Sequence, residues 1–222
     1  MKILVSWSSG KDSAWMLHTL QQTHPGQVHG LLTTVNGAFD RVAMHGVRRE
    51  VLEAQARAAG LPLHQVALPW PCSNAEYEAL MAEAVRGFVA GGFTHVAFGD
   101  LFLEDVRRYR EDRLAGTGLE PLFPLWKRGT TVDLAEAMIA GGLRATLSTV
   151  DPRKLPASFA GRSFDRALLA ELPDGVDPCG ENGEFHSCVW DGPMFNEPLR
   201  VVAGDVVERD GFVFADIVLK GP

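Results

Sequence analysis

The stretch ILVSWSSGKDSAWMLHTLQQ, residues 3–22, decides the fold of this chain. It opens with three consecutive aliphatic residues, as a buried strand does, and residues 12–22 place their apolar side chains at helical spacing. Between them lies a short polar turn, residues 8–13, which contains Gly10. A strand that leads through such a turn directly into a helix is the start of a βαβ unit. The stretch therefore predicts an α/β fold.

The same alternation continues through the first half of the chain. Ser73 and Glu76 form a capping box at the start of one helix, and Gly60 followed by Pro62 ends another. Strands alternating with helices predict a parallel sheet with helices on both faces, and ligands then bind at the carboxyl ends of the strands. The expected strands are Val28–Val35, Leu63–Leu68 and Thr94–Phe98, and the expected helices are Val47–Ala59, Ser73–Ala90 and Glu104–Ala115.

The pattern changes after Trp126, so we place a domain boundary near Leu125. Residues 1–125 would form the main domain and residues 126–222 a smaller α+β domain. A strand at 143–150 could continue the first sheet. The other elements expected are helices at 132–139 and 164–172 and a hairpin of strands 201–207 and 212–219. The valine-rich hairpin has an edge that a second copy of the chain could cover, which makes a homodimer possible.

Charge and composition exclude several classes of protein. The 222 residues carry a net charge of -7, whereas proteins that grip nucleic acid need a basic surface, so we expect no nucleic-acid partner. No apolar run is long enough to span a membrane and no signal sequence opens the chain, which predicts a cytoplasmic protein. Its three cysteines are odd in number and widely spaced, which fits neither a disulfide framework nor a zinc site.

The turn Ser8-Ser9-Gly10-Lys11-Asp12-Ser13 has the properties of a phosphate-binding loop. Gly10 permits a close approach of the backbone, the two outer serines offer hydroxyl donors, and the following helix directs its positive N-terminus at the loop. Lys11 would add a mobile positive charge. Asp12 would either cap the helix or hold Mg²⁺. Without a ligand, the same residues would form an ordinary serine-capped turn.

A second polar cluster lies in the Gly-Glu-Asn-Gly-Glu-Phe-His string, residues 180–186. Glu181, Glu184 and His186 with Asn182 can bind an amino group, relay a proton or complete a Mg²⁺ shell. A glycine-rich acidic hairpin without function would have a similar composition. Cys179 directly precedes the string.

These motifs resemble those of a known family. The loop resembles the Ser-Gly-Gly-x-Asp-Ser signature of PP-loop ATP pyrophosphatases, with Ser9 where the second position is usually glycine. The stretch from Gly99-Asp100 to Arg110-Glu111, the segment Pro121–Trp126 and the 180–186 string resemble the diphthine-ammonia ligase-like branch of that superfamily. The resemblance spans the chain to about Phe195.

The resemblance implies a fold and a reaction. The fold would be a nucleotide-binding domain of the adenine nucleotide α-hydrolase type, with a five-stranded parallel sheet, facing a smaller C-terminal domain across a cleft. ATP, with Mg²⁺, would activate a small-molecule or peptide-linked carboxylate as an acyl-adenylate and release pyrophosphate. Ammonia would then displace AMP to give an amide. The resemblance also places Asp105 and Arg110 near the acceptor.

Further candidate residues follow from where strands end. Thr33 and Thr34 end the second strand, where the base and ribose of a nucleotide are expected. Met44 and His45 would close over the adenine ring, unless His45 is an ordinary exposed loop residue. Gly99 would admit a ligand, and Asp100 would orient Mg²⁺ or an acceptor amine.

Two other functions compete with the ligase. In a sulfur-transfer enzyme, Cys179 or Cys72 would carry a persulfide, although no paired cysteine motif is present. In a nucleotide-binding sensor, ATP or AMP would close the two domains on a protein partner, and the acidic cluster would not be needed.

Overall fold

The computed structural model describes residues 1–43 and 45–221. Its first sheet is mostly parallel. The pairs β1–β2, β1–β5, β2–β4 and β5–β6 are parallel, and only β2–β3 is antiparallel. Its strands are β1 (Ile3–Ser6), β2 (Val28–Asn36), β3 (Arg41–Val42), β4 (Leu63–Leu68), β5 (His95–Ala97) and β6 (Glu120–Leu122).

The sequence-based expectation of a five-stranded, wholly parallel sheet is thus corrected to a mixed sheet of six strands. The short strand β3 folds directly back on the end of β2. This local hairpin has no apolar pattern from which it could be predicted. Strand β6 was missed because it is three residues long and contains Pro121. Proline is tolerated there because β6 lies at the edge of the sheet.

Four helices connect the strands of this sheet, and the expected end signals are confirmed. Ser73 and Glu76 make the reciprocal bonds of a capping box, and Gly60 ends a helix in the left-handed conformation with φ of 67°. The helices are α1 (Lys11–Thr23), α2 (Arg49–Ala59), α3 (Asn74–Ala90) and α4 (Glu104–Leu114).

The second sheet has four strands in the order β8-β7-β10-β9 and is antiparallel throughout. The expected C-terminal hairpin is confirmed, with Asp210 and Gly211 both at positive φ in the turn. The elements of this part are α5 (Thr131–Ala140), β7 (Arg144–Val150), a 3₁₀ turn (Ala157–Phe159), α6 (Arg166–Ala170), β8 (Phe185–Asp191), β9 (Val201–Arg209) and β10 (Phe212–Leu219).

The strand at 143–150, which could have continued the first sheet, belongs to the second, because β7 pairs with β8 and β10. A run of buried aliphatic residues shows that a strand exists but not which strand it pairs with. The first sheet ends with Leu122 and the second begins with Arg144, and the boundary we propose near Leu125 lies between them.

One hydrophobic core joins the two sheets. The same cluster of buried side chains contains Val5 of β1 and Leu147, Phe185 and Val189 of the second sheet. Ion pairs add to this contact, since Asp216 of β10 binds Arg41 at 2.9 Å and Arg48 at 2.6 Å. Among the described residues, no helix combines the length and apolar character that crossing a membrane requires.

Candidate active site

The predicted phosphate loop lies between β1 and α1, where its hydroxyls bond within the loop itself. Ser8 Oγ lies 3.2 Å from Ser13 Oγ and accepts the N–H of Gly10 at 3.4 Å. Ser13 Oγ donates to the Gly10 carbonyl at 2.9 Å. The serines therefore fix the shape of the loop, while the N-terminus of α1 supplies the partial positive charge.

Lys11 is not the mobile charge that we expected. Its side chain is buried, and Nζ donates to both carboxylate oxygens of Asp12, at 3.0 and 2.8 Å, and to the carbonyl of Cys179. Burial alone would lower the pKa of Lys11, but the Asp12 carboxylate and other nearby acidic groups outweigh it and raise that pKa. Lys11 is therefore a buried cation that connects the loop to the C-terminal part.

Asp12 does not cap α1, because the cap position is occupied by Gly10 and no side chain bonds there. Its carboxylate is 29% exposed and faces the cavity beside the loop while it pairs with Lys11. Of the two roles that the sequence left open for Asp12, helix capping is therefore excluded.

Ser9 has a left-handed backbone with φ of 71°, which explains why glycine is usual at this position of the signature. Its hydroxyl is buried and has no hydrogen-bond partner in the described part of the chain. Its carbonyl accepts bonds from the N–H of Val189, at 2.9 Å, and from Nε2 of Gln55, at 3.2 Å. Hydrogen bonds from the second sheet and from α2 thus fix the position of the Ser9 carbonyl.

Two residues that support the loop were missed in the sequence. Gln55 is fully buried, with Nε2 donating to Val189 at 2.7 Å and Oε1 accepting from Trp7 at 3.0 Å. Ser187 accepts the backbone N–H of Lys11 at 3.1 Å, although 176 residues separate the two. Neither belongs to a local motif, so no spacing pattern could have indicated them.

Two cavities meet at the loop. The threonine cavity, about 270 Å³, is lined by Thr33 and Thr34. The carboxylate cavity, about 260 Å³, is lined by Asp12, Asp100 and Glu181. Five residues line both: Ser6, Ser8, His45, Phe98 and Arg110. The two cavities therefore form one continuous cleft across the end of β1.

The threonines line their cavity with polar groups that are already bonded. Thr33 Oγ1 donates to the Trp7 carbonyl at 2.7 Å, and the Thr34 carbonyl accepts the N–H of Ala43 at 3.1 Å. With apolar residues of α3 and β5 such as Phe88 and Val96, they form a largely apolar wall, which suits a flat ring. Met44, which we expected to close over the ring, lies outside the described residues.

Asp100 and Arg110 form an ion pair at the wall of the carboxylate cavity. Arg110 Nε donates to Asp100 at 3.0 Å, and its guanidinium lies 4.4 Å from the centre of the Phe98 ring. Gly99, which we expected to admit a ligand, lines the carboxylate cavity and also permits a close approach of α1. A Cβ at Gly99 would lie 3.1 Å from the carbonyl carbon of Asp12.

Glu181 is the carboxyl group in this cavity whose pKa is shifted. Its Oε1 accepts the N–H of Leu101 at 3.0 Å. Burial raises the pKa of Glu181 to about 7, and the negative charges of Asp12 and Asp100 add to the rise. Glu181 can therefore give or take a proton near neutral pH.

His45 and His186 pack ring against ring, with centroids 4.4 Å apart. Burial lowers the pKa of His186 to about 4, and the charge of Lys11 contributes. Burial also lowers the pKa of His45 well below its usual value, followed by the effect of His186. Both rings are therefore neutral at physiological pH. The His45 carbonyl accepts the hydroxyls of Ser148 and Thr149, which rules out the ordinary exposed loop residue.

Three predicted catalytic residues are not brought into the cavity wall. Asp105 is exposed on α4 and does not line the carboxylate cavity. Asn182 is exposed and donates to Oε1 of Glu184 at 3.2 Å. Glu184 is buried and accepts the N–H of Asp177 at 3.1 Å. Glu184 and Asn182 thus shape the loop that carries Glu181.

Two of the three cysteines, Cys179 and Cys188, are poorly suited to sulfur transfer. Cys179 is buried, its Sγ donates to the Thr131 carbonyl at 3.4 Å, and burial raises its pKa to about 12. Burial likewise raises the pKa of Cys188 to about 12. Because the thiolate is the reactive form, both thiols are inert at neutral pH.

Comparisons with known proteins indicate the family of the chain. The family model described as diphthamide synthase N-terminal domain matches residues 1–115, and the one described as diphthamide synthase C-terminal domain matches residues 130–217. A Danio rerio protein named diphthine–ammonia ligase is 28% identical over 238 residues, covering 98% of this chain and 92% of that protein. The Homo sapiens protein of that name is 25% identical over 249 residues, covering 98% and 89%.

A solved structure of a predicted subunit of tRNA methyltransferase from Methanocaldococcus jannaschii DSM aligns with a TM-score of 0.44 and 15% identity. The alignment covers 90% of this chain and 100% of the chain in the solved structure. The two matched family models together span most of the sequence, including the phosphate loop and the 180–186 string. The chain therefore belongs to the diphthamide synthase family, the diphthine-ammonia ligase-like branch of the PP-loop ATP pyrophosphatases.

Proposed function

We propose that this protein is an ATP-dependent ligase that converts a carboxylate to an amide through an acyl-adenylate, releasing AMP and pyrophosphate. The observation that carries the proposal is the continuous cleft. A largely apolar cavity that suits adenine and a cavity with three carboxyl groups meet at one loop beside the N-terminus of α1. A nucleotide lying across the loop would present its α-phosphate to the acidic cavity.

The first step would be adenylation. A carboxylate oxygen of the acceptor attacks the α-phosphorus, and the bond to the β-phosphate oxygen breaks with release of pyrophosphate. The N-terminus of α1 stabilises the charge on the phosphates. Arg110 lines both cavities, pairs with Asp100 and would stabilise the negative charge that moves from the acceptor to the phosphates.

The second step would be attack by ammonia. The nitrogen bonds to the acyl carbon, the bond to the phosphate oxygen of AMP breaks, and the amine must lose a proton. Glu181 would take that proton, because it lines the cavity and its pKa of about 7 places it in both protonation states near neutrality. The neutral rings of His45 and His186 would orient the reactants by hydrogen bonds.

Mg²⁺ fits this site when it is held jointly by the protein and the phosphates. The described residues contain no cluster of three or more His, Cys, Asp or Glu that would hold a metal alone. Asp12 presents a carboxylate to the cavity, and Mg²⁺ is commonly held by one or two carboxylates together with phosphate oxygens. Bound there, Mg²⁺ would neutralise charge on the leaving pyrophosphate.

The acceptor is proposed to be diphthine or another small or peptide-linked carboxylate, since the relatives are named diphthine–ammonia ligase. The test is to incubate the protein with ATP, Mg²⁺, ammonium and a diphthine-containing protein, and to measure AMP and pyrophosphate. We expect both products only when acceptor and ammonium are present together. Nucleotide binding without AMP formation across a panel of carboxylates would contradict the ligase and favour the nucleotide sensor.

A further inference from the structure

A third cavity, which we call the aromatic cavity, lies beside the cleft. It has a volume of about 260 Å³ and is walled by Phe39, Trp70, Phe212 and Phe214. His186 lines both this cavity and the carboxylate cavity, and Val42 and Ala43 line both this cavity and the threonine cavity. The aromatic cavity therefore adjoins both parts of the cleft.

The β10 side of the aromatic cavity is closely packed against the first-sheet part. Two of its aromatic side chains come from loops of the first sheet and two from β10 of the second. Gly46 packs so closely on Phe214 that a Cβ would lie 2.8 Å from its ring. At the same place, the ion pairs of Arg41 and Arg48 with Asp216 join the first-sheet part to β10.

Two of the wall residues expose large apolar rings to solvent, which is unfavourable, and the fold does not explain this exposure. Phe39 is 46% exposed and Trp70 is 59% exposed, and their rings meet edge to face with centroids 5.5 Å apart. Large aromatic side chains left together at the rim of a cavity are typical of binding sites, because a ligand covers them.

The charges of this cavity indicate which groups it can hold. Arg41 and Asp216 neutralise each other, and the Arg48 guanidinium followed by Arg41 lowers the pKa of Asp216. The guanidinium of Arg209 lies 5.7 Å from the centre of the Phe39 ring. Asp210 also lines the cavity, so the charges of its lining arginines and aspartates sum to zero. The ring faces then favour apolar groups and weakly hydrated cations over an anion.

We propose that the aromatic cavity is the subsite for the part of the acceptor that does not react, and that it takes a bulky, weakly hydrated group without negative charge. Phe39 and Trp70 are then specificity-determining residues. The link to the acceptor rests on the proposed ligase function, whereas binding in the cavity does not.

Three probes of the same branched shape test the binding directly: choline, 3,3-dimethylbutanol and 3,3-dimethylbutyrate. The protein is labelled with 5-fluorotryptophan, and the signal of Trp70 among the five tryptophans is assigned with Trp70→Phe. We expect choline or the alcohol to shift the Trp70 signal with an affinity at least about fivefold above that of the butyrate. Which of the two binds better tells whether the preferred group is cationic or neutral.

Phe39→Ala should weaken the binding of the favoured probe about fivefold. Tyr109→Ala, which removes an exposed aromatic side chain on α4, should leave that binding unchanged. The proposal is overturned if no probe shifts the Trp70 signal, if the butyrate binds as well as the other two, or if Phe39→Ala binds like the unmodified protein.

The link to the acceptor is tested in the AMP-forming assay. Phe39→Ala and Trp70→Ala should raise the KM of the acceptor at least about fivefold, with kcat and the KM of ATP unchanged. A change in kcat or in the KM of ATP alone would overturn the assignment to the acceptor. If no acceptor supports AMP formation, the ligase proposal fails while the probe experiment still decides whether the cavity binds.

Discussion

The hydroxyl of Ser187 on β8 accepts the backbone N–H of Lys11 at 3.1 Å, which ties the first turn of α1 to the antiparallel sheet. Val189 on the same strand donates to the carbonyl of Ser9. The loop that would bind the phosphates of ATP is therefore shaped by a strand that belongs to the other sheet.

Ser187→Ala tests this contact. The substitution leaves a buried N–H without a partner, so we expect the free energy of unfolding to fall by about 1–2 kcal/mol and the KM of ATP to rise. Urea unfolding and steady-state kinetics measure the two effects. Ser163→Ala, which removes an exposed hydroxyl, is the control. Equal stability of the two variants would show that the bond contributes nothing.

Lys11→Met separates a structural from a phosphate-binding lysine. It removes the buried ammonium and leaves Asp12 and the Cys179 carbonyl without their donor. Because Asp12 is partly exposed, we expect a loss of about 2 kcal/mol in the free energy of unfolding. Lys11→Met with Asp12→Asn should recover part of this loss. Unchanged stability together with a large rise in the KM of ATP would instead identify Lys11 as a phosphate ligand.

Ser9→Gly should stabilise the protein by about 1 kcal/mol. Glycine relieves the left-handed backbone and removes a buried hydroxyl that has no partner, and its greater freedom in the unfolded chain offsets part of this gain. Asp210→Gly, at an exposed position with φ of 51°, is the matched control and should change stability less. A less stable Ser9→Gly variant would mean that the hydroxyl has a partner that we have not identified.

Glu181→Gln should change the pH dependence of stability. Folding raises the pKa of this carboxyl from 4.5 to about 7, so the folded state keeps a proton that the unfolded chain releases between these values. The resulting stabilisation is present below pH 4.5 and is lost as the pH rises through 7. Glu181→Gln lacks this loss, which unfolding measurements at pH 5 and pH 8 would detect.

If Glu181 accepts the proton from the attacking amine, the amidation rate should rise as the pH passes 7, and Glu181→Gln should lose this rise. Asp105→Asn, which changes an exposed carboxylate on α4, should keep both pH profiles. If Glu181→Gln retains the unmodified profile, another group accepts the proton.

Local signals in the sequence were sufficient to predict most helices and strands of the fold. The Ser73 capping box, the Gly60 helix end and the Asp210-Gly211 hairpin each depend on neighbouring residues, and each is present in the structure. The sequence left open which sheet contains the strand at 143–150, because strand pairing depends on residues far along the chain.

The same distinction separates the site residues. Asp12, Asp100, Glu181 and His186 lie in motifs, and the structure brings them to one cavity. Gln55 and Ser187 act through partners up to 176 residues away, so no motif contains them. Glu184 lies in the most distinctive string of the chain, yet it stabilises the loop from within.

The shared hydrophobic core limits how a protein of this kind can change its substrate. A C-terminal part that folded on its own could be exchanged for another by recombination, bringing a new acceptor preference with it. Here Val5 and Phe185 are buried in one cluster, and a foreign C-terminal part would have to match that surface. Divergence in acceptor preference should therefore proceed by single substitutions at positions such as Phe39 and Trp70.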